Sequence, residues 1–370
     1  MELHGDLPSR CLVGGIFRAK VEVNGMKMKA LYFSEHGDST KVQYGEVELP
    51  ILRAGWSRIK VEAVALNHLD IWIRRGWKGL HLPLPHVTGA DVCGIVVAQE
   101  GSTHSISAGD RVAVYPGILP ASDEFTCRGE PSVSPNYQVL GEHIWGGLAE
   151  YVDVPTENLL KVDLNRAAEK IAAPNLVVTT VWRMLFARAA LQRGESVLVV
   201  GSGGGVNSLT IQICKALGCE VYVVAGGLEK SNRARSLGAA DVIDYTLTED
   251  WHKTLMKLTK GRGVDLVVDN VGANTLTKSL KSVRRGGRIV TVGNTSGYQL
   301  SLDNRLIFGK QISIIGSTMG SREDWKDGLQ FLLDQDIEVV IDGVYPLAEG
   351  REQLQRMERG EHFGKIVLKP

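Results

Sequence analysis

The chain has 370 residues, with 42 basic and 42 acidic side chains and a formal net charge of zero. A balanced charge offers no electrostatic footprint for nucleic acid or an anionic membrane surface, and no apolar run approaches the ~18–20 residues of a membrane helix. The length exceeds what one hydrophobic core usually sustains, so two domains are expected, with a small molecule bound in the cleft between them.

Residues 1–25 lack a basic segment followed by a long apolar one, which argues against a secretion signal; they read as an N-terminal extension before a first strand at 26–33. The five cysteines (Cys11, Cys93, Cys127, Cys214 and Cys219) are odd in number and contain no CxxC pair. That usage fits reduced thiols in a cytoplasmic protein. From Met28 to about Val154 the apolar stretches are short, rich in Val and Ile and broken by Gly or Pro, as in SRIKVEAVALN and DRVAVYPG. This is the texture of a mostly antiparallel β domain, with one helical insert, DIWIRRGW, after Asn67. Helical sequence at 165–192 leads into a stretch, Ser196 to Thr318, where nearly all-apolar strands alternate with helices: SVLVVG, EVYVVAG, DVIDY, VDLVVDNVG, GRIVTVGN and QISIIGST. Such strands belong to a parallel sheet covered on both faces. The tail carries an amphipathic helix at 324–335, a strand near 338–347 and a closing strand GKIVLK that rejoins the first domain. The fold class is therefore α/β: a mostly β domain at 26–177, completed by 319–370, and a doubly wound domain with a parallel sheet at 178–318.

In the second domain VLVVG runs into GSGGGVNS and then a helix. Glycines there let the backbone turn tightly and approach a pyrophosphate, whose charge is met by amides at the helix N-terminus. A Gly-rich turn alone often binds nothing, but the strand, turn, helix, strand order makes Gly201, Gly204, Gly205 and Val206 a dinucleotide site. The second strand ends in VVAGGLEKSNRAR, with no acid at its tip for the ribose hydroxyls, while Lys230 and Arg233 offer cations to a 2'-phosphate. NADPH is therefore expected, with NADH possible through Glu229; the two cations also suit an ordinary solvated helix face. Asn270, Gly293 and Ser317 lie at the C-terminal ends of strands, where a dinucleotide crevice opens, though such residues populate strand ends anyway.

The motifs NHLDIWIRRG (67–76), GDRV (109–112), GGLAEYV (146–152), GSGGGVN (201–207) and GKIVLK (364–369) resemble the medium-chain dehydrogenase/reductase superfamily, and the likeness runs from Met28 to Pro370. It implies a GroES-like catalytic domain and a Rossmann domain that binds NAD(P). It also places Thr180 beside the nicotinamide and Tyr245 in the 2'-phosphate pocket. Asn207 stands where the glycine spacing GxxGxxG has its last glycine, so a shift of the helix and weaker dinucleotide binding are expected. A homodimer is implied, pairing QISIIGS with its symmetry mate, or a tetramer built from it.

Catalytic zinc enzymes supply three protein ligands. Carried over by position, these fall on Asn67, Ala90 and Leu176, none of which binds zinc. In the structural metal loop PGILPASDEFTCRGEPSVS, Pro120, Asp123, Thr126 and Ser134 take the cysteine places and Cys127 stands alone. No metal is expected, which leaves that lobe held by packing or mobile; the alternative is a rearranged site using His68, Asp91, Cys93 or His143, residues that singly read as ordinary packed or hydrogen-bonded ones. Without a Lewis acid a conjugated enone or quinone is the easier hydride acceptor, and the pattern formed by Asn67, Asp70, Arg74 and Gly76 resembles zinc-free members that reduce such compounds. Asn67 would hydrogen-bond a substrate oxygen or serve as a turn amide. His68 would donate a proton, touch the cofactor phosphates or be a solvated loop histidine. Trp72 replaces a frequent tyrosine. Asp70 and Arg74 read as an ion pair or helix cap, and Trp72, Trp145 and Trp182 as an aromatic wall or as core. The expected function is an NADPH-dependent quinone or enone reductase. The alternatives are an alcohol or aldehyde dehydrogenase, suggested by LNHLDIWIRRG, LGEH and IIGSTMG, and a non-catalytic NADPH sensor.

Overall fold

A computed structural model describes residues 25–101 and 105–370. The expected extension at 1–25 lies, apart from Gly25, outside them. The chain enters through a hairpin of β1 (Lys27–Tyr32) and β2 (Gln43–Glu48), one residue shorter at each end than the expected 26–33, and continues into β3 (Trp56–Ala65). Helix α1 (His68–Arg75) follows, then β4 (Asp91–Gln99), β5 (Arg111–Val114), β6 (Gly117–Ile118), the short α2 (Glu124–Cys127), β7 (Gln138–Val139), β8 (Tyr151–Pro155) and β9 (Leu159–Lys161). Antiparallel pairing dominates this half. Within it β3 is the hub: its first five residues pair with β8, its last two with the C-terminal strand, and its other edge carries β4.

Helices α3 (Ala168–Ala172) and α4 (Asn175–Trp182) lead to the second half. There β10 (Ser196–Val200), α5 (Gly205–Ala216), β11 (Glu220–Ala225), α6 (Leu228–Ser236), β12 (Asp241–Asp244), α7 (Trp251–Leu258), β13 (Val264–Asp269), α8 (Leu276–Ser282), β14 (Val283–Thr291), α9 (Asn304–Lys310) and β15 (Ser313–Gly316) alternate. The six strands are parallel in the order β12-β11-β10-β13-β14-β15. Every residue of β10 and β13 is buried, as strands covered by helices on both faces must be. The chain then returns through α10 (Arg322–Asp334), β16 (Ile341–Pro346), α11 (Gly350–Glu358) and β17 (Lys365–Lys369), which pairs antiparallel with β3.

The two halves share a core. Ala63, Ala65 and Cys93 of the β half, Val177 and Val181 of α4, Val199 and Leu209 of the parallel half and Trp325 of α10 form one buried cluster. The expected boundary at 177/178 therefore falls inside α4, one helix whose two faces serve both halves. Arg74 pairs with Glu358 of α11 rather than with Asp70, so α1 is tied to the C-terminal segment and the ion pair expected within α1 is replaced by a longer-range one. Asp70 does cap α1: its carboxylate accepts the Asn67 amide at 2.7 Å and the Gly89 amide at 2.9 Å. Burial pushes this carboxyl up to about 6.

The loop at 117–139 is cross-linked by its own polar side chains. The Asp123 carboxylate accepts the Phe125 and Thr126 amides at 3.0 Å each, capping α2, and also accepts the Ser134 hydroxyl. Ser134 Oγ in turn accepts the Asn136 amide at 3.0 Å. Three of the positions that replace metal-ligating cysteines thus cross-link the lobe by hydrogen bonds, and Cys127 stays exposed outside them.

Candidate active site

Between the halves lies a cleft of about 570 Å³. Asn67, His68 and Trp72 of α1 face it from one side, and Gly201, Gly204, Gly205, Val206, Asn270 and Gly293 from the other. Thr180 of α4 and Lys230 of α6 complete the sequence-derived set that meets here. Three expected residues do not line it. Arg233 is committed to Glu229 at 2.8 Å and to the face of Phe363, Tyr245 packs on Gly226, and Ser317 yields its place to Thr318 and Met319. Of the tryptophans, Trp72 alone lines the cleft. Trp145 donates its indole N–H to the Pro85 carbonyl at 3.0 Å and Trp182 packs between Phe186 and Phe331, which corrects the aromatic wall.

The glycine turn is shaped for a dinucleotide. Gly201 has φ +90°, the left-handed region that glycine tolerates. A β-carbon at Gly204 would project into open space, and one at Gly203 would point toward Lys230 Nζ at 3.5 Å. Beside them Ser202 Oγ is buried without a hydrogen-bond partner, as is His362 Nδ1. Buried polar groups without partners are rare and call for a ligand or water. These residues fit an NAD(P) cofactor with its pyrophosphate at the start of α5.

Asn207 is hydrogen-bonded through both ends of its amide. Its Nδ2 donates to the Val200 carbonyl at 3.0 Å, its Oδ1 accepts Asn270 Nδ2 at 3.0 Å, and Asn270 Oδ1 accepts the Val292 amide at 2.9 Å. One side chain in the last-glycine position thus ties together the ends of β10, β13 and β14. Asn207→Ala orphans a buried carbonyl and an amide, and is expected to cost about 1–3 kcal/mol. Chemical denaturation measures this, and a loss under about 0.5 kcal/mol, the size of an ordinary surface change, rules the cross-link out as a stabilising element.

Of the places that correspond to zinc ligands, Asn67 and Leu176 line the cleft and Ala90 packs behind them in the same apolar cluster as Leu176. Asn67 Nδ2 donates to Asp91 Oδ2 at 2.9 Å, and Lys365 Nζ donates to Asp91 Oδ2 at 2.7 Å and to Asn67 Oδ1 at 2.5 Å. The Leu176 amide donates to the other Asp91 oxygen. Ala90 and Leu176 pack with Met319 as an apolar wall. An amide and two hydrocarbon side chains, beside a single carboxylate already paired with a buried ammonium, are no donor set for zinc, and among the described residues no three His, Cys, Asp or Glu side chains gather to hold a metal ion. The Asn67 amide, expected to face substrate or a turn, is spent on this network.

Further polar groups of the cleft are His143, Tyr137, His68 and His362, of which Tyr137 and His362 carry no sequence signal. His143 lines it, with Nδ1 accepting the Val139 amide at 3.1 Å; the assigned tautomer therefore carries hydrogen on Nε2. The Tyr137 hydroxyl is turned to the Gly320 carbonyl at 3.1 Å. His68 and His362 lie 6.0 Å apart by ring centroid. Burial, reinforced by Lys365 and Arg75, holds His68 below its ordinary value. Burial and then His68 push His362 down to about 4. A histidine depressed on folding contributes stability present above its unfolded value near 6.5 and lost as pH falls through about 4. Asp70, raised to about 6, acts oppositely: its contribution is present below the ordinary carboxyl value of 3.8 and lost as pH rises through about 6. The His362 contribution is isolated by difference: wild type is expected to lose stability relative to His362→Asn between pH 6.5 and 4, and parallel stability curves refute it. Lys365 lies in GKIVLK, a segment whose sequence reads as a strand and carries no sign of a site residue.

Known proteins place this geometry. Residues 53–164 match the family model described as alcohol dehydrogenase GroES-like domain and residues 205–334 match that of zinc-binding dehydrogenase. The chain is 30% identical to an NAD-dependent alcohol dehydrogenase of Sulfolobus acidocaldarius and 30% identical to an acryloyl-coenzyme A reductase of Metallosphaera sedula, each alignment covering 92% of this chain and 99% of the relative. A crystal structure of an NAD-dependent alcohol dehydrogenase superposes with TM-score 0.88 at 37% identity, covering 93% of this chain and all of the other.

Proposed function

Because the chain belongs to the medium-chain dehydrogenase/reductase superfamily and is an oxidoreductase that uses a nicotinamide cofactor, we propose that it reduces conjugated carbonyl compounds, quinones or enones, with NADPH and without zinc. The observation that carries this reading is the replacement of the metal-ligand triad by Asn67, Ala90 and Leu176 around a buried Lys365–Asp91 pair. An isolated carbonyl needs a Lewis acid or strong proton donor, whereas a conjugated acceptor delocalises the incoming charge. The acryloyl-coenzyme A and crotonyl-CoA reductases among the relatives are named for conjugated acyl substrates.

The amides of Gly203 to Gly205, at the start of α5, would take the pyrophosphate, and Lys230 the 2'-phosphate. Thr180 and Gly293 would flank the nicotinamide. When bound, the nicotinamide supplies the hydride. Leu176, Val177, Met319 and Trp72 shield the reacting face from water, and the α1 cap by Asp70 fixes His68 and Trp72 at the cleft. A homodimer is the matching assembly: β15 ends the parallel sheet with an unpaired edge, and Ile314 and the nearby Phe308 are exposed. A cytoplasmic setting suits the four described cysteines, which form no disulfide.

Fluorescence titration with NADPH and NADH, zinc analysis on the same sample and an NADPH-oxidation assay against quinones and enones test the reading together. Tighter NADPH binding, no stoichiometric zinc and turnover of a conjugated acceptor are expected. Stoichiometric zinc with turnover of simple alcohols overturns it in favour of the second reading, an alcohol dehydrogenase, which the alcohol dehydrogenases among the relatives favour.

A further inference from the structure

We propose that the Lys365 ammonium is the electrophile of the reaction, the group that takes the negative charge developing on the substrate carbonyl oxygen in the place where zinc dehydrogenases keep their metal. This rests on the reading of the cleft as a conjugated-carbonyl reductase site. An ammonium has three N–H donors. Two are taken by Asp91 Oδ2 at 2.7 Å and Asn67 Oδ1 at 2.5 Å; the third has no acceptor among the described residues, and Lys365 lines the cleft. The acceptors are fixed in turn. Asp91 is fully buried and held by the Leu176 amide, and Asn67 is 8% exposed and anchored by the α1 cap. The donor is thus preorganised beside Asn67, the first of the replaced ligand positions, and is linked through Asp91 to the amide of Leu176, the third; a fixed charge in a water-poor site acts most strongly on a developing oxyanion.

Other donors are less well placed. Lys230 is tied to the Gly360 carbonyl at the phosphate end, the Tyr137 hydroxyl is spent on Gly320, and His143 stands exposed at the rim. The step balances simply. Hydride from the reduced nicotinamide bonds to the β-carbon, the C=C electron pair shifts to the carbonyl oxygen, and the enolate accepts hydrogen bonds from Lys365. A proton from water then bonds to the α-carbon; the nicotinamide is oxidised and the acceptor reduced by two electrons.

The rival role is a phosphate contact, since the Lys365 stem lies against Gly205, where an added β-carbon would meet its Cδ at 2.7 Å. The test uses Asp91→Asn/Lys365→Met, which removes both buried charges together, beside Asp91→Asn, which keeps the ammonium. In the protein–NADP⁺ complex, 4-nitrophenol is titrated below its solution pKa and its visible absorption reports phenolate. Wild type and Asp91→Asn are expected to bind the phenolate, and the double variant to lose it by about tenfold or more. With the acceptor that wild type reduces, kcat of the double variant should fall about 100- to 1000-fold, the effect of deleting one oxyanion donor, while the NADPH Kd holds. Unchanged phenolate binding in the double variant, absence of phenolate in wild type, or a weakened NADPH Kd with kcat retained each overturns the proposal. Phenolate bound through Lys365 in a protein that reduces no conjugated acceptor keeps the assignment and sinks the functional reading instead.

Discussion

Asp91→Ala is expected to destabilise the protein by about 3–5 kcal/mol, the cost of breaking a buried ion pair from one side. Asp91 is fully buried and accepts from Lys365, Asn67 and the Leu176 amide. Its removal strands the ammonium, whose side chain is 3% exposed, with one neutral acceptor, and orphans an amide at the start of α4. The companion Asp91→Ala/Lys365→Met separates pair from packing. Replacing a buried pair by apolar groups is often neutral or stabilising, so the double variant should recover most of the loss. Urea unfolding followed by tryptophan fluorescence measures both. A single variant within about 1 kcal/mol of wild type, or a double variant no better than the single, means the pair is not the electrostatic unit described.

The second large effect concerns the cofactor. Lys230→Glu should weaken NADPH relative to NADH by more than the roughly 10- to 100-fold that one charge-assisted hydrogen bond supplies, because it also sets a carboxylate against the 2'-phosphate. Strand β11 ends at Ala225 and is followed by Gly226 and Gly227, so no carboxylate meets the ribose there. Asp244, one strand over, is occupied by the Gly227 and Thr246 amides. Nor can an acid simply be added: a β-carbon at Gly226 would meet the Tyr245 hydroxyl at 2.5 Å. Tyr245 thus keeps the corner clear even though it does not line the cleft. Fluorescence titration of wild type and variant with both cofactors decides the matter. A wild type that prefers NADH, or a variant with the same ratio, removes Lys230 from the role.

Where a signal is local, sequence carried it. The largely apolar strands from Ser196 to Gly316, the glycine turn and the return of GKIVLK to the first domain are patterns of neighbours along the chain, and residue burial and backbone freedom act at that range. The loss of zinc ligands was likewise visible position by position, since a hydrocarbon at Ala90 or Leu176 has no lone pair to offer wherever it lies. What replaced the ligands was not visible. Lys365 and Asp91 are 274 positions apart, and each alone reads as a strand-end charge; only the pairing of β17 with β3 brings the ammonium to Asn67. The same holds for Arg74, whose partner proved to be Glu358 rather than Asp70, and for Asn207, which reads as a damaged glycine motif until Val200 and Asn270 are seen at its two ends. Sequence by itself determined the α/β fold class, with its mostly antiparallel and its parallel sheet, and the glycine turn after β10. Tertiary structure alone decided which polar groups meet in the cleft, because hydrogen bonds and charges act over a few ångströms of space, and chain separation sets no limit on which residues share them.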